Sequence, residues 1–268
     1  MTRHDYPATG AWFPGMPVGG RKFADFPHDR PFALDGGKVL SSVSIAYESW
    51  GTLNEDATNA ILICHAWTGD SHVSGAAEEG NPTPGWWEGV VGPGKAIDTN
   101  KWFVVCSNVI GGCQGSTGPA TAHPEDGQLY GSRFPVITVR DMVRAQVRLT
   151  DMLGIRKWHS VVGGSMGGMQ VLEWAVTFPD RVKTIIPIAT CAQATAQQIA
   201  WGAIGRRAIR LDPKWRSGEY YDAATGEGPW EGLAIARMLS QVTFRSDNVF
   251  NERFGRALVD MDADYNGL

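Results

Sequence analysis

The chain has 268 residues, of which 43% are hydrophobic and 19% are charged, a composition typical of globular proteins. Its 24 basic and 28 acidic residues give a formal net charge of −4. This balance argues against nucleic acid or an anionic membrane surface as the main partner. The length suffices for one large α/β domain, alone or with an insertion.

The amino-terminal stretch MTRHDYPATGAWFPGM lacks the continuous apolar segment that a secretory signal requires. No apolar run in the sequence is long enough to cross a bilayer. The four cysteines are scattered and show no metal-type spacing. We therefore expect a cytoplasmic protein with reduced thiols and no bound metal.

The first half of the chain predicts three strands. Residues 1–30 are rich in Pro, Gly and charge, and their lack of periodicity predicts a loose arm. Residues 43–51 alternate as a strand does, and AILIC (60–64) is a continuous apolar run, typical of a strand buried on both faces. WFVVCSNV (102–109) is a second such run, followed by the Gly-rich loop IGGCQGSTGP.

The next stretch alternates helices and strands. Residues 138–154 predict an amphipathic helix, with Met142, Ala145, Leu149, Met152 and Leu153 on its apolar stripe. A strand over 159–165 leads into a helix that a proline closes at position 179, and a buried strand follows over 182–190. This order predicts an α/β fold with a mostly parallel sheet and helices on both of its faces.

After Cys191 the pattern becomes entirely helical. Residues 193–211 and 230–244 predict helices, separated by a Gly- and Tyr-rich loop. A helical insertion on a parallel sheet is typical of a lid. We therefore divide the chain into an arm (1–30), a core (31–192) and a helical lid region (193–268).

The motif Gly-Gly-Ser-Met-Gly-Gly over 163–168 contains G-x-S-x-G between a predicted strand and a predicted helix. That context is typical of the nucleophile turn of α/β-hydrolases. The backbone of such a turn is strained, and side chains at Gly163 and Gly167 would collide where strand and helix approach. The motif nominates Ser165 as the nucleophile. Gly-rich turns also bind phosphates, but G-x-G-x-x-G and P-loop spacings are absent here.

The loop His65-Ala66-Trp67-Thr68-Gly69 directly follows the first buried strand. In this fold that loop supplies one N–H of the oxyanion hole, and the residue after the nucleophile supplies the other. The backbone amides of Trp67 and Met166 are therefore the candidates. We interpret His65 as a structural histidine that holds the loop, rather than as the base.

A serine nucleophile requires a base, which in this fold follows the nucleophile in chain order. All six histidines precede Ser165. Either an earlier histidine serves in an unusual arrangement, or the triad is incomplete in this chain.

Six stretches carry a specific resemblance: HAWTGDSHVSG, PTPGWWEGVVGPGKAIDT, NVIGGCQGSTGP, GSRFPVITVRDMV, VVGGSMGGMQVLEWA and FPDRV. Together they resemble the homoserine O-acetyltransferase family of methionine biosynthesis, from about Leu34 to Phe254. The resemblance implies a cytoplasmic, dimeric enzyme of the α/β-hydrolase fold. Such an enzyme moves the acetyl group of acetyl-CoA to the hydroxyl of L-homoserine through a seryl acyl-enzyme. It implies no cofactor beyond that co-substrate.

Transferred to this chain, the family's nucleophile is Ser165 and its homoserine-binding arginine is Arg237, in GLAIARMLSQVTFR. An arginine suits the α-carboxylate of an amino acid; Arg245 is a nearby competitor. The family more often has Leu at position 67, which leaves the shape of the acyl pocket open.

The family's triad Asp and His belong to a carboxyl-terminal section that matches no residue here. We therefore expect a carboxyl-terminally truncated member, with part of the core missing and little or no turnover. Succinyl-CoA as donor, L-serine as acceptor, a plain serine esterase, or a non-catalytic remnant remain alternatives.

Overall fold

The computed structural model describes residues 6–255, which fall into two compact units. The larger comprises residues 10–193, and the smaller comprises residues 6–9 and 194–255 among those described. The end of the predicted lid region, 256–268, lies outside the described residues.

The larger unit contains ten strands and two α-helices among its described residues. In chain order the strands β1 to β10 are Lys22–Phe26, Phe32–Ala33, Val39–Leu40, Val43–Trp50, Ala60–Cys64, Val91–Gly92, Ile97–Asp98, Phe103–Ser107, Trp158–Gly164 and Val182–Ile188. The helices α1 and α2 are Val139–Met152 and Met166–Thr177.

Six of the strands form the main sheet, in the order β1-β4-β8-β5-β9-β10. The pairs β1/β4 and β4/β8 are antiparallel, whereas β8/β5, β5/β9 and β9/β10 are parallel. The mostly parallel α/β sheet predicted from the sequence is confirmed. From β5 the chain passes to β8 on one side and then to β9 on the other. Ligands of open α/β sheets bind at the carboxyl ends of strands at such a reversal.

The strand β5 is buried along its whole length, as its uninterrupted apolar sequence predicts. Its alternate residues enter two separate apolar clusters. One contains Leu62 together with Leu149 of α1 and Trp174 of α2. The other contains Ile63 together with Val73 and Val91 from the segment between β5 and β8. The helices α1 and α2 therefore both pack on the face of β5 that contains Leu62. The Gly- and Pro-rich sequence GNPTPGWW explains why the segment on the other face forms no helix.

The prediction of a loose arm over residues 1–30 is wrong for Lys22–Phe26. This segment is the strand β1, and it pairs antiparallel with β4. Ala24 and Phe26 are buried in the core. The alternation is only five residues long, and flanking prolines and glycines obscure it in the sequence.

The helix α1 begins at a capping box formed by Thr138 and Asp141. Its buried face includes Ala145 and Leu149, as predicted, but also Val143 and Gln146. Met152, by contrast, is exposed. The buried face of α1 is therefore rotated from the predicted apolar stripe. The prediction counted only apolar residues, whereas Gln146 belongs to the interface with α2.

The smaller unit contains three helices among its described residues: α3 (Ala196–Leu211), α4 (Trp230–Thr243) and α5 (Asp247–Phe254). The helices α3 and α4 pack against each other. The amide of Gly226, in the loop between them, donates to the carbonyl of Tyr6 at 2.7 Å. Helical structure therefore occurs where the sequence predicts it after Cys191.

Candidate active site

Ser165 lies between the end of β9 and the first residue of α2, and its side chain is exposed. Its backbone has φ 55° and ψ −121°. Positive φ is sterically costly for a residue with a Cβ, and it persists only where the surroundings impose it. The sharp, strained turn predicted from the motif is therefore present, with the hydroxyl clear of the packed interior.

Gly163 and Gly167 of the motif are required by close backbone contacts. A Cβ on Gly167 would lie 2.0 Å from the carbonyl oxygen of Cys64, and one on Gly163 would lie 2.7 Å from the same atom. Gly164 differs, since a Cβ there would meet only the carbonyl oxygen of Ile188, at 3.8 Å. Gly163 and Gly167 thus allow β5, β9 and α2 to meet beneath Ser165, whereas Gly164 is not required sterically.

The loop after β5 runs beside this turn, because Cys64 at the end of β5 is in register with Gly163 of β9. Within the loop, the amide of Gly69 donates to the carbonyl of Ala66 at 2.9 Å. The Trp67 side chain is 73% exposed. Among residues 6–255, the Trp67 amide has no hydrogen-bond acceptor. Met166 is the first residue of α2, where amides have no intrahelical acceptor. Both nominated amides are thus available to an anion.

His65 holds the loop rather than facing the nucleophile. It is only 3% exposed, and its Nδ1 donates to the carbonyl of Ala66 at 2.7 Å. Its Nε2 accepts from the amide of Val109 at 3.2 Å. These two bonds use both ring nitrogens of a neutral imidazole. The structural role that we assigned to His65 matches this geometry.

A buried polar network anchors the far end of the same loop. Glu48 of β4 accepts from the Ser71 hydroxyl at 3.2 Å and lies 3.0 Å from Nδ1 of His72. Asn108 accepts from the Ser71 amide at 2.8 Å and donates to the Ser71 hydroxyl at 3.1 Å. All four residues are buried. The sequence analysis missed this network, because Glu48 and Asn108 are distant from the loop along the chain.

None of the described histidines hydrogen-bonds to Ser165. His72 pairs with Glu48, His159 packs against Trp102 with 4.3 Å between the centroids of the tilted rings, and His123 packs against Tyr130. His28 is exposed, and His4 lies outside the described residues. Within residues 6–255, the Ser165 hydroxyl has no hydrogen-bond partner. The site therefore contains a presented hydroxyl and two free amides without a base in contact.

Arg237 lies on α4 and is exposed, and its side chain has no ion pair or hydrogen bond among the described residues. Its competitor Arg245 is already engaged, since its guanidinium donates to the carbonyl of Gln241 at 3.0 Å and to the Gln241 side chain. Of the two guanidinium groups, that of Arg237 is the one with no partner among the described residues.

Within residues 6–255, no three His, Cys, Asp or Glu side chains are grouped to hold a metal ion. In the same range, no helix combines the length and apolar character needed to cross a membrane. All four cysteines are free thiols.

Replacement of Gly167 by alanine should prevent folding or destabilise the larger unit by at least about 4 kcal/mol, because the new methyl group would overlap the Cys64 carbonyl. Alanine normally stabilises a helix relative to glycine, so a loss must come from this overlap. Gly164→Ala is the matched control and should change stability by less than about 1 kcal/mol. Urea unfolding followed by tryptophan fluorescence measures both. Equal effects of the two substitutions would contradict the assigned contact.

Burial lowers the pKa of His65 below its usual value. Protons therefore bind the unfolded chain more readily, and the stability present above pH about 6.5 is lost progressively as the pH falls below that value. His65→Gln should reduce the loss of unfolding free energy between pH 7.5 and pH 5.5, whereas replacement of the exposed His28 by Gln should not. Urea unfolding at the two pH values tests this. An unchanged pH dependence in His65→Gln would refute it.

Comparisons with known proteins agree with this geometry. Residues 59–266 match the family described as alpha/beta hydrolase fold. A homoserine O-acetyltransferase of Thermobifida fusca is 53% identical over 250 residues, which cover 93% of this chain and 65% of that protein. One of Leifsonia xyli is 52% identical over 250 residues, covering 93% of this chain and 61% of that protein. The chain therefore spans less than two thirds of the length of these relatives.

Solved structures are similar as well. Esterase E22 superposes with a TM-score of 0.79 at 34% identity, over 90% of this chain and 66% of that chain. The homoserine O-acetyltransferase from Bacillus anthracis superposes with a TM-score of 0.79 at 32% identity, over 90% of this chain and 65% of that chain. The resemblance inferred from the motifs is thus confirmed. By its sequence match and by its sheet, the chain belongs to the α/β-hydrolase fold family.

Proposed function

We propose that this chain carries the nucleophile of an acyltransferase that moves an acetyl group from acetyl-CoA to the hydroxyl of L-homoserine, as in methionine biosynthesis. The observation that carries the proposal is the exposed Ser165 hydroxyl on a strained turn, beside two free backbone amides. The name shared by the Thermobifida fusca and Leifsonia xyli relatives supports the substrates. The proposal extends to a cytoplasmic homodimer that needs no cofactor.

In the proposed first half-reaction, the oxygen of Ser165 attacks the thioester carbonyl of acetyl-CoA and its proton passes to a base. The amides of Trp67 and Met166 donate to the oxyanion of the tetrahedral intermediate, and the first turn of α2 adds the positive end of its dipole. The C–S bond then breaks, and the CoA thiolate leaves and takes up a proton. An acetyl ester on Ser165 remains.

In the second half-reaction, the homoserine hydroxyl loses its proton to the base and attacks this ester. Ser165 recovers a proton as O-acetylhomoserine leaves. We propose that Arg237 binds the α-carboxylate of homoserine through a charge-assisted pair, because its guanidinium is free and Arg245 is held by Gln241. A negative carboxylate and a planar guanidinium fork fit each other in shape and charge.

The base is the part of this mechanism that the described histidines do not supply. Because an unassisted serine hydroxyl is a weak nucleophile, we expect little or no multiple turnover from the 268-residue chain. Release of CoA from acetyl-CoA, with and without L-homoserine, measures this in the wild-type chain and in Ser165→Ala. Fast homoserine-dependent release that Ser165→Ala abolishes would refute the expected inactivity and would still support Ser165 as the nucleophile.

A serine hydrolase is the second candidate, and specific structural neighbours favour it. Esterase E22 and an acetylester hydrolase from Corynebacterium glutamicum superpose with TM-scores of 0.79 and 0.73. The same assay separates the two reactions, since release of CoA that is indifferent to homoserine favours hydrolysis. Succinyl-CoA and L-serine are tested in place of acetyl-CoA and homoserine. Pocket shape decides among such close substrates.

Arg237→Ala should weaken the binding of L-homoserine about 10- to 100-fold, the range expected for a lost hydrogen-bonded charge pair. Titration calorimetry measures the dissociation constant. Arg245→Ala is the matched control: the Arg245 guanidinium already donates to Gln241, and the homoserine affinity of this variant should stay unchanged. If only the Arg245 variant loses affinity, the assignment is reversed; if neither does, it fails.

A further inference from the structure

The last residue of β10, Ile188, and the residue Thr190 just after the strand both bind the backbone of Ser165. The Ser165 amide donates to the carbonyl of Ile188 at 3.0 Å. The Thr190 hydroxyl donates to the Ser165 carbonyl at 2.7 Å. Two residues of one short segment therefore bind the only two polar backbone groups of the candidate nucleophile.

This segment is itself strained. Ala189, between the two bonding residues, has φ 44°, and Ser165 has φ 55°. Left-handed conformations of residues other than glycine are costly, and they survive only where other contacts over-determine them. The hydrogen bonds of Ile188 and Thr190, on either side of Ala189, connect these two strained positions.

The Thr190 side chain is also fixed by packing. A Cβ on Gly168 would lie 2.6 Å from both the Cβ and the Cγ2 of Thr190, so the threonine fills the space left by that glycine in the first turn of α2. A β-branched side chain has few preferred χ1 conformations, and the contact with Gly168 limits them further. The hydroxyl is therefore held towards the Ser165 carbonyl.

The Ser165 carbonyl also accepts the first hydrogen bond of α2, from the amide of Met169 at 3.1 Å. A movement of this carbonyl would shift both the Ser165 side chain and the first turn of α2. The Met166 amide, our candidate oxyanion donor, lies in that turn.

We propose that Thr190 is a positioning residue, whose hydroxyl holds the strained Ser165 backbone so that the nucleophile and the Met166 amide keep a fixed relation. Its catalytic consequence rests on the proposed acyl-transfer function. The bond itself does not, and it is measurable without turnover.

The test compares Thr190→Val, which keeps the shape and removes the hydroxyl, with Thr190→Ser, which keeps the hydroxyl. Amide hydrogen exchange at Ser165 and Met169 is followed in the 268-residue chain. Loss of one hydrogen bond should accelerate exchange about fivefold to tenfold in Thr190→Val, and Thr190→Ser should restore it to within about twofold. Single acetylation of Ser165 by acetyl-CoA should slow in Thr190→Val and recover in Thr190→Ser.

Exchange that is unchanged in Thr190→Val, or equally fast in both variants, would overturn the proposal. Packing, rather than the Thr190 hydroxyl, would then hold the Ser165 backbone. If exchange follows the prediction but Ser165 is not acetylated even in the wild-type chain, the positioning bond is supported and the acyl-transfer function is overturned. If Thr190→Val does not fold, Thr190→Ala against Thr190→Ser carries the same comparison.

Discussion

The contact between the Cys64 carbonyl and the glycine backbone of 163 and 167 determines how the site is built. It brings the end of β5, the end of β9 and the first turn of α2 to within van der Waals distance of one another. At that separation the chain can pass from strand to helix only through a turn with unusual dihedral angles, and Ser165 occupies that turn. Ser165 is exposed at this turn, where the three packed elements end.

Support for this turn comes from three directions. The end of β5 packs beneath the Ser165 turn, residues 188–190 bind the Ser165 backbone, and the loop after β5 lies beside the turn. That loop is fixed by His65 at its start and by the buried group around Glu48 at its end. A buried carboxylate is tolerated when its oxygens are hydrogen-bonded, and such networks limit the conformations open to the elements that they join. Trp67 lies between these two anchors. Its backbone amide is therefore held in a fixed loop, while its side chain remains exposed.

Local features of the site could be predicted from the sequence. AILIC gave β5 with its bounds, and the glycines around Ser165 indicated the turn, because steric rules act within a few residues. Features that depend on distant partners could not be predicted. Thr190 lies 25 residues from Ser165, and no periodicity links the two.

The helix interfaces show the same limit. The prediction assigned α1 a purely apolar stripe, but Gln146 lies in its interface with α2 and accepts from the Trp174 indole at 2.7 Å while donating to Gln170 at 2.8 Å. Buried amides that bind each other cannot be recognised from hydrophobic periodicity. Likewise, β1 could not be recognised until β4 was seen to pair with it.

The claim that Ser165 is the acyl-accepting group is tested most directly by the position of the acyl group. The 268-residue chain is incubated with acetyl-CoA, quenched in acid and digested, and the acetylated peptides are identified by mass spectrometry. The account predicts slow, at most stoichiometric acetylation at Ser165, with the other serines unmodified. Acetyl groups spread over several exposed serines, or absent from Ser165, would contradict it.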